Sequence, residues 1–429
     1  MKWLKVIYRM SERFSIEVPL AQDGLDEDEI EMVCSIFRSG NLTMGKAVQE
    51  FEERFAEKIG ANYAVMVNSG SSANLLALEL LADQITQRGR LRTEDLYVAI
   101  PAILWPTSIW PIIQLGFKAL VIDTKPNTLE IDFNSLIDAK KELGDQLVGV
   151  VLIHPLGKSL DLSIVKNLEE KHGLFVIEDN AESLGAGNHN RFAGSMGKVG
   201  TFSFYYSHHI TTVEGGMVVT NSEESANKLL SMRAHGWTRN RLDREQIELK
   251  YPDKDRNFLF VTSGYNFRPM EFQGALGISQ LAKLEKFIEK RILNVDRINS
   301  TLMGSNFRII AADETTLPKA QSEHYAPVDH SWMAIPILYS GTTFSLSEIH
   351  RFLNDNGVAT RPILAGNFLD QPAGKHDRIE IHKSAVNSIH TYNNSFMMSN
   401  HQNLTDAQLE HIEKTFTELI FIDEKSNVK

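Results

Sequence analysis

Four strand-like apolar runs alternate with helical stretches, and this alternation restricts the fold more than any other feature of the sequence. The runs are Tyr97–Ile100, Lys118–Ile122, Val148–Ile153 and Phe175–Ile177. Because they are apolar on both faces and separated by helices, they predict a parallel sheet that is covered on both sides. We therefore expect an α/β fold whose large domain is built on this sheet.

The length of the chain predicts a second domain. At 429 residues it exceeds what one hydrophobic core usually covers. A single long helix predicted over Glu271–Ile292 would lead from a large domain, residues 1–275, into a smaller one, residues 276–429. The smaller domain has a strand-like run at Trp332–Leu338 and helical periodicity at Asp406–Ile420.

Composition excludes several classes of function. The formal net charge of -11 argues against nucleic acid as a partner, because phosphate binding needs a concentrated positive surface. Cys34 is the single cysteine, which excludes an internal disulfide and any multi-cysteine zinc or iron–sulfur site, so no metal is expected. Charges interrupt Met1–Arg13, which lacks the apolar core of a signal peptide, and no segment has membrane-spanning length. We therefore expect a cytoplasmic protein without membrane contact.

A serine-rich loop follows the predicted strand Tyr63–Val67 and precedes the predicted helix Leu75–Ala82. Its sequence is Asn68-Ser-Gly-Ser-Ser-Ala-Asn74. Free N–H groups and the helix dipole at such a start favour a phosphate, and the hydroxyls of Ser71 and Ser72 add donors. Ordinary capping of the helix by Ser or Asn is the alternative.

Two further strand ends carry candidate cofactor contacts. Asp179 lies at the carboxyl end of a buried strand, where ligand-contacting residues of open α/β sheets gather. Its carboxylate suits the protonated ring nitrogen of a pyridoxal-type cofactor, and a helix N-cap is the alternative. Trp105 follows another strand, where it would stack on a flat heterocycle or pack at a core or interface. Trp110 better suits the core.

The stretch Thr201–Gly216 presents polar side chains between two apolar runs. It ends a predicted strand, enters a turn with the adjacent His208 and His209, and returns through Glu-Gly-Gly to Met217–Thr220. Such a turn is a common way to present side chains to a cofactor phosphate.

The serine loop, Val-Ile-Glu-Asp179 and the Thr201–Gly216 stretch, in this order, resemble the sugar aminotransferase branch of fold-type I pyridoxal-phosphate enzymes. Arg233–Gly236, Gly264–Arg268 and Gly357–Pro362 resemble further strings of that family, so the resemblance covers nearly the whole chain. It implies an aminotransferase-like fold with a mostly parallel seven-stranded sheet and a smaller α+β C-terminal domain. It also implies pyridoxal 5'-phosphate (PLP) and pyridoxamine 5'-phosphate (PMP) as cofactors.

One position departs from that family. Its third motif reads Ser-Phe, three residues, Lys, and the lysine holds the cofactor covalently. Here the string is Ser203-Phe-Tyr-Tyr-Ser-His208, and Lys198 lies upstream on the other side of the strand. Imidazole forms no stable Schiff base, but it can act as a general base near neutral pH. This pattern resembles the sugar 3-dehydratases; Cys34 alone cannot build the iron–sulfur cluster that one branch of them needs.

The resemblance implies a reaction and a set of roles. A 3-dehydratase would remove the C3 hydroxyl of a nucleotide-linked 4-keto-6-deoxy sugar, GDP-4-keto-6-deoxymannose, with His208 as base. L-glutamate would regenerate PMP, and ammonia would be released. Ser71, Ser72 and Ser203 would hold the phosphate, Asp179 the pyridine nitrogen, and Glu182 the 3′ oxygen. An aminotransferase homologue without its lysine, or a non-catalytic binder of sugar nucleotides, is the alternative.

Three other residues have implied roles across a subunit boundary or toward glutamate. Asn266 would reach a phosphate in the neighbouring subunit, which implies a homodimer with shared active sites. Arg239 and Arg268 would clamp the two carboxylates of glutamate, because a guanidinium pairs bidentately with a carboxylate, or would form structural ion pairs. His209 is expected to have a structural or secondary role, and a direct role is the alternative.

Overall fold

The computed structural model describes residues 16–22, 24–87, 93–311 and 326–427, and Met1–Arg13 lies outside them. Its helices are α1 Glu27–Ser39, α2 Lys46–Ile59, α3 Gly70–Gln87, α4 Pro106–Gln114, α5 Phe133–Leu143, α6 Leu162–Glu170, α7 Glu223–Met232, α8 Arg244–Lys250, α9 Glu271–Leu281, α10 Leu284–Leu302, α11 Leu346–Asp355, α12 Val386–Asn394 and α13 Asp406–Asn427. Its strands are β1 Tyr63–Val67, β2 Tyr97–Pro101, β3 Lys118–Ile122, β4 Leu147–Ile153, β5 Phe175–Asp179, β6 Gly187–Asn188, β7 Arg191–Phe192, β8 Val199–Ser203, β9 Gly216–Thr220, β10 Phe307–Ile309, β11 Ala334–Tyr339, β12 Thr360–Arg361, β13 Ile379–Ile381 and β14 Ser395–Ser399.

The large sheet has eight strands in the order β1-β9-β8-β5-β4-β2-β3-β13. Only β9 runs antiparallel to its neighbours, so the sheet is mostly parallel, as the sequence predicts. Seven of the strands come from residues 63–220, which matches the expected number. The eighth, β13, comes from the C-terminal part and pairs with β3.

Both faces of the sheet are covered. Along β3, Ala119 and Val121 pack into a core cluster with α3 and α4. The intervening Leu120 and Ile122 pack into another cluster with α5 and α6. Because successive strand residues face opposite ways, this division places helices on both sides of the sheet, as the apolar runs predict.

A second, four-stranded sheet has the order β10-β11-β14-β12 and is antiparallel. Apolar residues of α10, α11 and α13 share one core cluster with β11 and β14. This unit agrees with the smaller α+β domain expected from the sequence. The division into residues 1–275 and 276–429 remains a prediction, and its boundary falls inside α9.

The single helix predicted over Glu271–Ile292 is wrong. The chain forms α9 and α10, which are separated at Ala282 and Lys283. The Lys283 ammonium binds Glu29 Oε1 at 2.7 Å, so a tertiary contact fixes the junction that helical periodicity does not reveal. No helix among the described residues has the length and apolar character needed to cross a membrane.

Candidate active site

The carboxyl ends of β1, β2, β5 and β8 lie at one edge of the sheet because these strands are mutually parallel. The serine loop and β8 meet there. A Cβ added to Gly70 would lie 2.5 Å from Ser203 Cβ, so only glycine permits this approach. Ser71 is exposed at the start of α3, whereas Ser72 is buried and donates to Asn68 Oδ1 at 2.7 Å. Ser69 Oγ accepts from Ser72 N at 3.1 Å and so caps the helix, while Ser71 beside it stays exposed to solvent.

Asp179 is the buried acid of this edge, with 4% of its surface exposed. Its Oδ2 accepts from Asn74 Nδ2 at 2.8 Å and from Ser108 Oγ at 2.7 Å. Thr201 Oγ1 donates to Asn74 Oδ1 at 2.6 Å, which fixes the amide so that its N–H faces the carboxylate. Among the described residues, Asp179 Oδ1 accepts only from Ala181 N, at 3.2 Å, so one oxygen retains acceptor capacity. A turn rather than a helix follows, so the N-cap alternative is wrong.

His208 is partly exposed and contacts the turn that follows this acid. Its Nδ1 is 2.7 Å from the carbonyl oxygen of Ala181. A carbonyl only accepts, so Nδ1 carries the proton and Nε2 keeps its lone pair. Burial lowers the pKa of His208 to about 4; the Ala181 carbonyl opposes this effect and the Arg291 charge adds to it. The imidazole is therefore neutral near pH 7 and can accept a proton at Nε2.

Glu182 also faces this edge. Its Oε2 accepts from the backbone N–H of Leu156 at 3.0 Å, where Leu156 has a φ of 48°. Burial raises the pKa of Glu182 to about 7; the Asp179 charge adds to the rise, whereas the Leu156 N–H and the Arg361 guanidinium oppose it. A carboxyl group of this kind can donate as well as accept a hydrogen bond near neutral pH.

Trp105 precedes α4 and exposes 46% of its surface. The guanidinium of Arg361, from β12, lies 5.5 Å from the centre of its ring. Arg361 also donates to Leu364 O at 2.7 Å. Trp110 is partly buried and packs against the core, with its ring centre 5.6 Å from that of Phe368.

Sequence reasoning missed Asn74, Ser108 and Arg361 as residues of this site. Asn74 and Arg361 lie inside strings that resemble the family, so position within a motif was an available signal. Ser108 carried no such signal, because its role depends on α4 packing beside β5.

Among the described residues, three of the predicted ones form no hydrogen bond or ion pair with Asp179 or His208. Arg239 lies 5.3 Å from the ring centre of Trp237, and Arg268 Nη1 lies 3.0 Å from His235 Nε2. Neither forms an ion pair with a carboxylate of the described residues. Asn266 is exposed, and its backbone forms a bridge with Ala234. The structure of one chain therefore does not bring these side chains to the acid and the imidazole.

Two remaining residues lie as expected. His209 is buried, and its Nε2 is 3.1 Å from Ser331 O, which gives it a structural role. Lys198 Nζ is 3.6 Å from Glu169 Oε2, before β8 begins. It lies at the opposite end of β8 from His208 and cannot replace a lysine there.

The residues at this edge fit PLP. The start of α3, where Gly70 lets Ser203 approach and Ser71 is exposed, suits a phosphate. The free acceptor capacity of Asp179 Oδ1 suits a protonated ring nitrogen. The exposed face of Trp105 suits a flat ring. His208 would then lie at the site without a covalent bond to the cofactor.

Comparisons with known proteins agree with this arrangement. GDP-4-keto-6-deoxy-D-mannose 3-dehydratase of Escherichia coli is 35% identical over 391 residues, which cover 90% of this chain and 96% of that protein. A structure of the Escherichia coli dehydratase with bound hydrated PLP has a TM-score of 0.80 at 32% identity, covering 94% of this chain and 100% of that one.

Another structure of GDP-4-keto-6-deoxymannose-3-dehydratase holds a trapped PLP-glutamate geminal diamine. It has a TM-score of 0.79 at 32% identity and covers 93% of this chain and 99% of that one. These similarities confirm the fold-type I, PLP-dependent aminotransferase-like fold. Residues 23–417 match the DegT/DnrJ/EryC1/StrS aminotransferase family. The chain belongs to this family.

Proposed function

We propose that this chain is a PLP-dependent sugar 3-dehydratase that acts on GDP-4-keto-6-deoxymannose. One observation supports dehydration over transamination: a neutral imidazole, His208, stands where the wider family has its lysine. The similarity to enzymes named as 3-dehydratases supports the same reaction and the GDP-linked sugar.

The residues of the site divide the chemistry among them. When bound, PMP would supply an amine for the C4 ketone and a ring that accepts electrons. Asp179 would keep the ring nitrogen protonated, which would maintain that capacity. His208 Nε2 is unprotonated near pH 7 and would therefore act as the base. It would take the proton whose removal allows the C3 hydroxyl to leave. Glu182 is expected to donate a hydrogen bond to the 3′ oxygen.

Glutamate is the proposed amino donor, and ammonia the second product. The glutamate adduct held by a similar dehydratase supports the first of these. With no lysine to exchange with, an amine left on the sugar product is expected to be lost by hydrolysis, which yields a 3-deoxy-4-keto sugar and ammonia.

A homodimer with shared active sites is the proposed assembly. Trp237 stacks on Phe258 and Phe260, and these two phenylalanines expose 66% and 50% of their surface. An exposed aromatic patch of this kind usually marks an interface. Arg239 lies on the patch, and Asn266 is exposed near it. A second copy of the chain that packs against this patch would place its serine loop near Arg239 and Asn266 of the first copy.

The test incubates the protein with PLP, glutamate and GDP-4-keto-6-deoxymannose and measures ammonia and the 3-deoxy sugar. We expect His208→Asn to lose both products while it still binds PLP, and Lys198→Met to keep them. An absorbance change with glutamate alone reports conversion of PLP to PMP. Near-normal turnover by His208→Asn would refute its role as base. Cofactor binding without either product would favour a non-catalytic binder.

A further inference from the structure

Arg291 is a buried arginine of α10, with 1% of its surface exposed. Its Nη1 donates to Asn400 O at 2.6 Å and to Met333 O at 2.7 Å, and its Nη2 donates to Gln402 Oε1 at 2.8 Å. Every hydrogen-bond acceptor that the described residues offer it is an uncharged oxygen, and none of their carboxylates forms an ion pair with it. Burial lowers the pKa of Arg291 to about 9, so the group remains charged at neutral pH.

A buried charge without a counter-ion is costly, so its position calls for a reason. The acceptors of Arg291 come from separate segments of the chain. Met333 precedes β11, and Asn400 and Gln402 follow β14. The third segment is the turn after β8, where Nη2 lies 3.5 Å from His208 O. One guanidinium thus joins the His208 turn to the smaller sheet.

A neighbouring hydrogen bond joins the same two units. His209 Nε2 donates to Ser331 O at 3.1 Å. Asn400 Nδ2 donates to Trp332 O at 2.8 Å, beside the oxygens that Arg291 binds. Segments that flank the smaller sheet therefore hold the His208 carbonyl and the His209 side chain, while Ala181 O, in the turn after β5, holds the His208 ring.

We propose that Arg291 is a positioning residue that couples the smaller domain to the His208 imidazole and thereby sets the direction of Nε2. The proposal rests on the proposed role of His208 as base. Packing alone does not need a charge at this position, because an apolar side chain of similar volume would fill the same space without the free-energy cost of burying a charge.

The same charge acts on the ring electrostatically. The groups that face His208 are the Ala181 carbonyl, the Tyr205 ring edge at a centre distance of 6.1 Å, the neutral His209 and Arg291. Arg291 is the only one of these that carries a charge at pH 7. Its removal should therefore raise the pKa of His208, and a lysine in its place should preserve that electrostatic effect while losing the fork of hydrogen bonds.

The experiment uses full-length Arg291→Met and Arg291→Lys, with Arg297→Met as the matched control. Arg297 lies on the same helix, but it is 32% exposed and pairs with Glu413 at 2.7 Å. Two quantities are measured. One is the rate at which PMP-loaded protein releases ammonia from GDP-4-keto-6-deoxymannose, measured as a function of pH. The other is modification of His208 by diethyl pyrocarbonate in cofactor-free protein against pH, followed by tandem mass spectrometry.

We expect Arg291→Met to lose about tenfold to a hundredfold in rate, as misplacement of a catalytic group does. Its His208 modification profile should move to higher pH, because a like charge beside the ring is removed. Arg291→Lys should lose rate but keep the wild-type profile, and Arg297→Met should change neither. If Arg291→Met does not fold, the test rests on Arg291→Lys. A wild-type rate of ammonia release in that variant would show that the guanidinium hydrogen bonds are not needed and would overturn the proposal.

An unchanged modification profile in folded Arg291→Met would overturn the proposal, as would a wild-type rate. A fall in melting temperature that accompanies an unchanged profile would mean that Arg291 is structural only. These outcomes are separate from failure of the proposed function, which would appear as undiminished turnover by His208→Asn.

Discussion

Glu182 makes the stability of the cofactor-free protein depend on pH. Its carboxyl group has a pKa of about 7 in the folded protein and an ordinary value of 4.5, so folding holds it in the neutral form. This contribution is complete below about pH 4.5, falls as the pH rises, and is lost above about pH 7. The difference between the two pKa values, at about 1.36 kcal/mol per pH unit, sets an upper limit of about 3.4 kcal/mol.

Glu182→Gln removes the titrating group and keeps both its shape and the oxygen that accepts from Leu156 N at 3.0 Å. We expect the variant to unfold like the wild type near pH 5 and to be more stable by up to about 3 kcal/mol at pH 8. Urea denaturation at pH 5, 6, 7 and 8 without cofactor measures this difference. Glu418→Gln, on an exposed position of α13, is the matched control. A difference that stays constant from pH 5 to 8 would refute the reasoning.

Three further changes test the site and its support. Gly70→Ala should cost about 1–3 kcal/mol and weaken PLP binding in an absorbance titration, because the added Cβ meets Ser203 Cβ at 2.5 Å. Adding Ser203→Gly should restore the stability but not the PLP affinity, since the Ser203 hydroxyl is expected to hold the phosphate. Asp179→Asn should lower PLP affinity by about tenfold or more while circular dichroism stays unchanged, since the ring nitrogen loses its charged partner. Arg233→Met should cost about 3–5 kcal/mol in urea denaturation, because Glu52 would be buried without its partner, and Glu52→Leu in the same chain should recover most of it.

The strands that build the site are predictable from sequence because their apolar runs are buried on both sides. Tyr63–Val67 and Lys118–Ile122 match the predicted bounds. The break between α9 and α10 could not be predicted, because Leu281-Ala-Lys-Leu continues the helical period without Gly or Pro. Only the folded chain brings Glu29 to Lys283 and fixes that junction.

The site was predictable where chemistry is local to a motif. The position of His208 after a strand required only the string around it, and the structure adds the proton on Nδ1 that leaves Nε2 free. The partners of Asp179 come from residues 71 and 105 positions away in sequence, namely Ser108 and Asn74 respectively. Such separations are set by how helices pack on the sheet, which no local pattern encodes.

The placement of β13 affects how the chain can fold during synthesis. Until residues 379–381 leave the ribosome, β3 is the open edge of the large sheet, with Ala119 to Ile122 in a continuous apolar run. An open apolar edge invites pairing with other chains. Completion of β13 closes that edge, and Glu380 then pairs with Lys118 at 3.1 Å. A nascent chain therefore remains vulnerable to aggregation until β13 has emerged, and a fragment that ends near residue 275 would keep this edge exposed permanently.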